Sequence, residues 1–297
     1  MKHLLCALLL LCTGISGRSQ SDDTWTKEFG ISFGAMNCNT DIGGLPIDLR
    51  NFKFASGVYF GATYLEKVGF RLEGTLGAVA ATDKRAINYD LKGRNLDFTS
   101  SIKELSLLAE VHPLNLLVPS DNTPALSPYL LAGVGYFGFD PRTRLNGQWV
   151  YLQPLHTEGE GFPETGRPNY KLSSVALPVG GGLQYNLSDR LILRGEAVYR
   201  FAGTDYLDDV STTYIDPNLF DKYLSKGNAA LARELADRSS EALPGASRAP
   251  GSVRGSPKKD AYYSFNIKLG IRLASGSGSF YSNFSKRRQG CDVLKSL

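Results

Sequence analysis

Strict two-residue alternation of apolar and polar or small side chains recurs in eight stretches of this chain, and few folds can use that pattern. Phe29, Ile31, Phe33 and Ala35 alternate with Gly30, Ser32 and Gly34, and Val58, Phe60, Ala62 and Tyr64 alternate with Tyr59, Gly61 and Thr63. Val68, Phe70, Leu72, Leu76 and Ala78 stand against Arg71, Glu73, Thr75 and Gly77; Leu105, Leu107, Ala109 and Val111 stand against Glu104, Ser106, Leu108 and Glu110. Four more stretches follow: YLLAGVGYFGF from Tyr129, VALPVGGGLQY from Val175, LILRGEAVYRF from Leu191 and YYSFNIKLGIRL from Tyr262. Successive strand side chains point to opposite faces, so each stretch builds one apolar face and one polar face.

The connections alternate too. YLEKVG and NLSDR are tight turns and a Pro-containing link runs from His112 to Ser127, whereas the connections near 39–52, 81–97, 140–173 and 202–260 are long. Short turns at one end and long loops at the other are the pattern of a transmembrane barrel. The fold expected is all-β: an eight-stranded antiparallel outer-membrane β-barrel with long extracellular loops and a short helix in the last loop. With an even strand number both termini are expected in the periplasm of a Gram-negative cell.

The ends agree with export. Lys2, the run LLCALLLLC and the small-residue stretch TGISGRS read as a signal peptide over 1–19, followed by the barrel at 20–273 and a basic periplasmic tail at 274–297. No later apolar run reaches the roughly 18 residues a spanning helix needs. After cleavage only Cys38 and Cys291 remain, too few for a disulfide scaffold. The net charge of +4 is dispersed apart from KRR in the tail, so nucleic acid is not an expected partner. Lipid of the outer membrane is; the oligomeric state is left open.

A soluble barrel has an apolar inside, and two features speak for the inverse arrangement. Tyr64, Phe70, Tyr136, Tyr185, Tyr199, Phe201 and Tyr263 fall near strand ends, where interfacial girdles form. The polar rows mix opposite charges, Arg71, Glu73, Glu104, Glu110, Arg194, Glu196, Arg200, Lys268 and Arg272, with Gly133, Gly135, Gly180 and Gly182. We read these charges as an ion-pair network across a narrow lumen; standing at the rim in water is the alternative. A barrel of this size is filled by its own side chains, so passage of solutes is not expected and function falls to the loops or the periplasmic side.

Candidate chemistry is sparse. Of the histidines, His112 is expected at the periplasmic end of the fourth strand and His156 in the third long loop, near Glu158 and Glu160; catalysis there competes with simple solvation. Zinc lacks a ligand pattern, and no cofactor is called for. The stretch TDYLDDVSTTYIDP gathers Asp205, Asp208, Asp209 and Asp216, hard oxygen ligands that make calcium the metal candidate, though without the spacing of an EF-hand. The same residues read as a loop anchor: Asp216 before Pro217 is a helix start, with Leu219, Phe220, Tyr223 and Leu224 on one face and a second helical run through Leu231 and Leu235, while Tyr206, Leu207 and Tyr214 pack the loop over the barrel mouth. Lys286, Arg287 and Arg288 in the tail are candidates for contact with an anionic partner.

GRNLDFTSSIKELSLLAEVHPL at 93–114 resembles the RNLSF and ELS pattern of a Bacteroidota outer-membrane family whose best-known member is the PorG component of type IX secretion. TDYLDDVSTTYIDP, PYLLAGVGYFGFDP at 128–141 and RGSPKKDAYYSFNIKLGIRL at 254–273 resemble further runs of that family, in order along nearly all of the mature chain. Asp97 departs from the family's serine, and the chain continues past Leu273. The resemblance implies a non-enzymatic barrel and, for the PorG branch, a structural role contacting periplasmic ring components of the secretion machinery. The expected function is therefore a scaffold of an envelope assembly, with an extracellular ligand- or cell-binding module acting through loops 140–173 and 202–260 as the alternative.

Overall fold

The structure, a computed structural model, describes residues 24–43, 48–118 and 124–273. The expected signal peptide and the tail, with Lys286, Arg287, Arg288 and Cys291, lie outside the described residues. The strands are β1 (Trp25–Asn39), β2 (Lys53–Tyr64), β3 (Val68–Thr82), β4 (Asp97–Val111), β5 (Leu126–Gly138), β6 (Arg142–Leu145), β7 (Gln148–Tyr151), β8 (Ser173–Asn186), β9 (Leu191–Ala202) and β10 (Ala261–Leu273). Each of the eight alternating stretches became one long strand.

Those eight close into a ring. Neighbours in the order β1, β2, β3, β4, β5, β8, β9, β10 pair antiparallel, and β10 returns to β1 with Lys27 opposite Leu273 and Asn39 opposite Ala261. Closure leaves no sheet edge around the wall, which a membrane demands of any strand that spans it. β1 begins and β10 ends at the short-turn end, so both ends of the ring chain lie on one side. Among the described residues no helix is long and apolar enough to cross a membrane.

Alternation sorts the wall as expected. Phe33, Phe60, Leu105, Val134, Leu177 and Ile267 point outward, each between 45 % and 65 % exposed. Left in water, each such side chain forgoes about 1.5–3 kcal/mol of burial, so this surface requires an apolar surrounding. Aromatic rings mark its limits: Trp25, Tyr64, Phe70 and Tyr185 near the turn end, and Phe54, Tyr136, Phe201 and Phe265 near the loop end. From Leu193, opposite Tyr185, to Phe201 is eight residues, about 26 Å along the strand and about 20 Å along the axis at a tilt near 40°. That is the fold of a transmembrane barrel.

The lumen is filled in two layers. Toward the turn end lie buried charges; toward the loop end an apolar cluster of Met36, Ala55, Val79, Ile102, Phe137 and Tyr262 runs on into the loops through Phe139, Leu155, Phe162, Leu207 and Phe220. Glycine makes room for the rings that stand between the charges: a Cβ on Gly30 would lie 2.5 Å from the Tyr59 ring, and one on Gly182 would lie 2.8 Å from that of Tyr129.

Arg71 is the centre of the charged layer. Its guanidinium reaches Glu73 (3.1 Å), Glu110 (2.7 Å) and Glu196 (2.5 Å) from three different nitrogens. Arg71→Ala leaves these carboxylates without that shared cation, and loss of one partner of a buried pair costs about 3–5 kcal/mol. The variant is expected to unfold at markedly lower denaturant in a refolding titration, while Lys103→Ala on the outer wall leaves the midpoint nearly unchanged.

Candidate functional site

The charged layer joins strands from all round the ring. Lys268 Nζ lies 2.6 Å from Glu73 and 2.7 Å from Glu196; Arg194 reaches Glu28 (2.9 Å) and Glu110 (3.0 Å); Arg200 reaches Glu104 (2.7 Å). Tyr129 and Tyr262 donate hydroxyl hydrogens to Glu196 and Glu104, both at 2.8 Å. Tyr59 places its ring face toward Arg71, Arg194 and Lys268. The candidate residues from Arg71 to Lys268 are thus brought together. Arg272 is not: it stands at the turn-end rim, 2.7 Å from Glu66 on the β2–β3 turn and 3.1 Å from Asn186, because its position is the last on its face before the strand leaves the barrel. Glu28 and Tyr59 complete the layer and were missed, although both share the parity of Gly30 and Gly61 on the lumen-facing rows.

At the other end the four long connections form a crown. Arg94 donates to both oxygens of Asp83 (2.7 and 2.9 Å) and to the Asp41 carbonyl (2.8 Å), and it also reaches the Arg254 carbonyl. Asp83 in turn accepts from Gly43 N–H (2.9 Å) and Leu96 N–H (3.1 Å). Arg254 donates to Glu158 (3.2 Å), the Asp209 carbonyl (2.9 Å) and the Ala236 carbonyl (3.2 Å). Glu158 also accepts from the Ser211 and Thr212 amides and the Thr212 hydroxyl. Arg94 with the Asp41 and Arg254 carbonyls, Asp83 with Gly43, and Glu158 with Arg254, Ser211 and Thr212 cross between loops, so all four connections are tied to one another.

TDYLDDVSTTYIDP is the seam of that body. Asp208 accepts from Ile42 N–H and Val210 N–H, both at 3.0 Å; Asp209 accepts from Thr157 Oγ1 (2.6 Å) and from the Tyr170 hydroxyl; Asp205 accepts from Ser211 Oγ (2.6 Å). Tyr206 stacks on Tyr170 at 4.5 Å, and Leu207 and Tyr214 are buried. Asp216 accepts from Asn218 N–H (3.0 Å) at the start of the helix Asn218–Tyr223, where Pro217 takes the cap position expected of Asp216. A second helix, Lys226–Ala236, buries Leu235. The four aspartates each hold a different group and do not converge, and among the described residues no set of three or more His, Cys, Asp or Glu is placed to hold a metal.

The two histidines among the described residues stand at opposite ends of the barrel, each among its own neighbours. The His156 ring packs on Phe162 at 5.5 Å with Nδ1 buried and unpartnered, and no hydrogen bond joins it to Glu158 or Glu160. His112, at the turn end of β4, has Ser127 Oγ at 3.4 Å and Glu110 at 3.9 Å, but that hydroxyl already donates to Asn115 (3.0 Å). The space beside it holds about 10 Å³, too little for a substrate.

The 140–173 connection, expected as a long loop, contains the hairpin β6–β7. Asn146 (φ 50°) and Gly147 (φ 82°) make its turn, the Asn-Gly pair that two-residue hairpins favour, so RTRLNGQWVY carried the signal. β6 joins the rim of β4 where Arg142 lies opposite Thr99.

With the geometry in place, comparison with known proteins gives a family. Residues 2–216 match the model described as "Domain of unknown function (DUF6089)". The chain belongs to that family. The match ends within the fourth loop, and β10, which closes the ring, lies beyond it. No curated protein matches. Among solved structures, the chain is similar to Neisserial surface protein A, at TM-score 0.37 and 11% identity over 84% of this chain and 97% of that one. It is similar to Ail, the attachment invasion locus protein of Yersinia pestis, solved with the heparin analogue sucrose octasulfate, at 0.36 and 11% over 84% and 97%. The E. coli outer membrane protein W aligns at 0.34 and 13% over 85% and 100%.

The crown also stores acid. Glu160 is fully buried with neither carboxylate oxygen hydrogen-bonded, and burial, with Asp209 and Glu158 nearby, pushes it up to about 8. Burial and Asp41 push Asp208 up to about 8, and burial holds Asp209 up at about 6. Unfolded carboxylates titrate near 4, so the folded crown binds protons that the unfolded chain has released. The resulting stability is fully present below about pH 4 and is lost as pH rises through the folded values. Once the intrinsic pH dependence of amide exchange is divided out, residues 205–214 are therefore expected to lose protection between about pH 4 and pH 8, and Glu160→Gln, which cannot ionise, is expected to flatten that loss.

Proposed function

We propose that the chain is a non-enzymatic, non-conducting barrel of the Gram-negative outer membrane that serves as a structural component of an envelope assembly, with the crown outside and both ends of the ring chain in the periplasm. The continuous filling of the lumen carries this reading: an ion-pair layer from Glu28 to Lys268 runs into an apolar layer and then into the crown. Among the described residues the lumen is occupied by the barrel's own side chains, which supports a fixed platform held at the membrane surface over a conduit for solutes.

The finer reading is a role in type IX secretion. It rests on the resemblance of residues 93–114, 204–217 and 254–273 to the Bacteroidota family that includes PorG, with Lys286, Arg287 and Arg288 as the periplasmic contact. A second reading, recognition of an external ligand or cell through 140–173 and 202–260, is favoured by one observation: Arg254 and Glu158 lock those two loops into a single surface.

A deletion strain separates the readings. Under the secretion reading, type IX cargo disappears from the medium and returns with the intact gene; normal secretion sinks that role. Photo-crosslinkers at Lys286 are then expected to capture periplasmic proteins, whereas capture only from Lys222 and Leu243 on the crown favours the external binder.

A further inference from the structure

The outward face of the β6–β7 hairpin has no assigned role. Arg142 lies opposite Tyr151 and Arg144 opposite Trp149, so the four side chains share that face. The other face, with Leu145 and Val150, packs on the apolar cluster. Arg142 stands 5.0 Å from the Trp149 ring centroid and 6.0 Å from that of Tyr151, and Arg144 stands 4.6 Å from Trp149. The rings support the guanidinium groups and leave their N–H edges to a ligand. Arg142 Nε is buried without a hydrogen-bond partner, and its Nη2 has only a long contact to Ser101 Oγ at 3.4 Å.

Acid that could neutralise this face is engaged elsewhere. Asp97 pairs with Arg238 at 3.1 Å, and Asp140 accepts from Ser101 N–H at 2.5 Å. Among the described residues no carboxylate forms an ion pair with Arg142, Arg144 or Lys103. Lys103 lies below them on the outer side of β4, beside Gly138 and one outward position above Leu105 and Tyr136, where the apolar wall ends.

Height decides the partner. From Leu105 to Lys103 is two residues, about 5 Å along the axis at a tilt near 40°, and to Thr99, opposite Arg142, it is six, about 15 Å. A simple phospholipid headgroup occupies roughly 5–8 Å beyond the hydrocarbon, enough for Lys103 and too little for Arg142. A phosphorylated saccharide on a lipid spans both.

We propose that Lys103, Arg142 and Arg144, braced by Trp149 and Tyr151, bind the phosphorylated sugar headgroup of an outer-leaflet glycolipid. The two arginine forks take phosphate oxygens, and the adjoining apolar wall takes the acyl chains. This rests on the outer-membrane reading above.

Trp149 is also the reporter. The chain has two tryptophans, so Trp25→Phe leaves Trp149 emission alone, and detergent-refolded barrel is titrated with a bisphosphorylated acylated disaccharide. A saturable shift is expected, with apparent affinity falling at least tenfold for the dephosphorylated lipid and for Arg142→Gln/Arg144→Gln. The Arg142→Lys/Arg144→Lys variant, which keeps charge but loses the fork, is expected to lose less. Heat-modifiable gel migration verifies that each variant is folded. Equal binding by wild type and the Gln variant overturns the proposal, and so does equal binding of the unacylated sugar phosphate, which would make a soluble glycan the ligand. Membrane fractionation is read separately: a barrel found elsewhere than the outer membrane defeats the localisation, while an outer-membrane barrel that fails the titration defeats this inference alone.

Discussion

One guanidinium touching three carboxylates sets the terms for this molecule. An eight-strand ring whose outside must be apolar has nowhere but its centre for polar side chains, and an isolated charge there costs several kcal/mol. Arg71 answers by binding Glu73, Glu110 and Glu196, and Lys268 and Arg194 tie those same carboxylates to β10 and β1. The layer therefore does more than fill space. Its partners lie on five strands, so the pairing is satisfied only when the ring is closed in one register; a slip of one residue would turn Arg71 and Glu73 into lipid.

The crown repeats the device with different chemistry. Arg94 and Arg254 are buried like Arg71, but much of what they bind is backbone: the carbonyls of Asp41, Asp209, Ala236 and Arg254. Loops have no ladder to satisfy their peptide groups, and side chains that reach across their own loop or to another supply the missing partners. Carboxylates perform the complementary task, with Asp83, Asp208 and Glu158 accepting from amides of other segments. Glu160, with neither carboxylate oxygen hydrogen-bonded, is the place where this accounting fails, and its burial favours the neutral form.

How much of this could be read beforehand follows from where a period exists. The ring, its inner and outer faces and the lumen charges from Arg71 to Lys268 are legible because alternation names a side chain's face without any contact being known. Alternation does not give height, which is why Arg272 was assigned to the network and stands at the rim instead. Loop contacts such as Arg94 with Asp83 or Arg254 with Glu158 join residues 11 and 96 apart through stretches with no period. The acids of TDYLDDVSTTYIDP showed the limit from the other side: their nearness in sequence allowed both shared ligation and a loop anchor, and only the loop contacts give each side chain its own donor. The β6–β7 hairpin, by contrast, was available from Asn146-Gly147 and its flanking alternation.

The central claim is that buried ion pairs and the crown seal the lumen. Planar-bilayer recording of the purified, refolded barrel tests it directly. The sealed structure predicts no discrete conductance steps in molar potassium chloride over long recordings at moderate voltage. Regular ohmic steps from the wild-type barrel, persisting when the crown is covalently clamped, would contradict it.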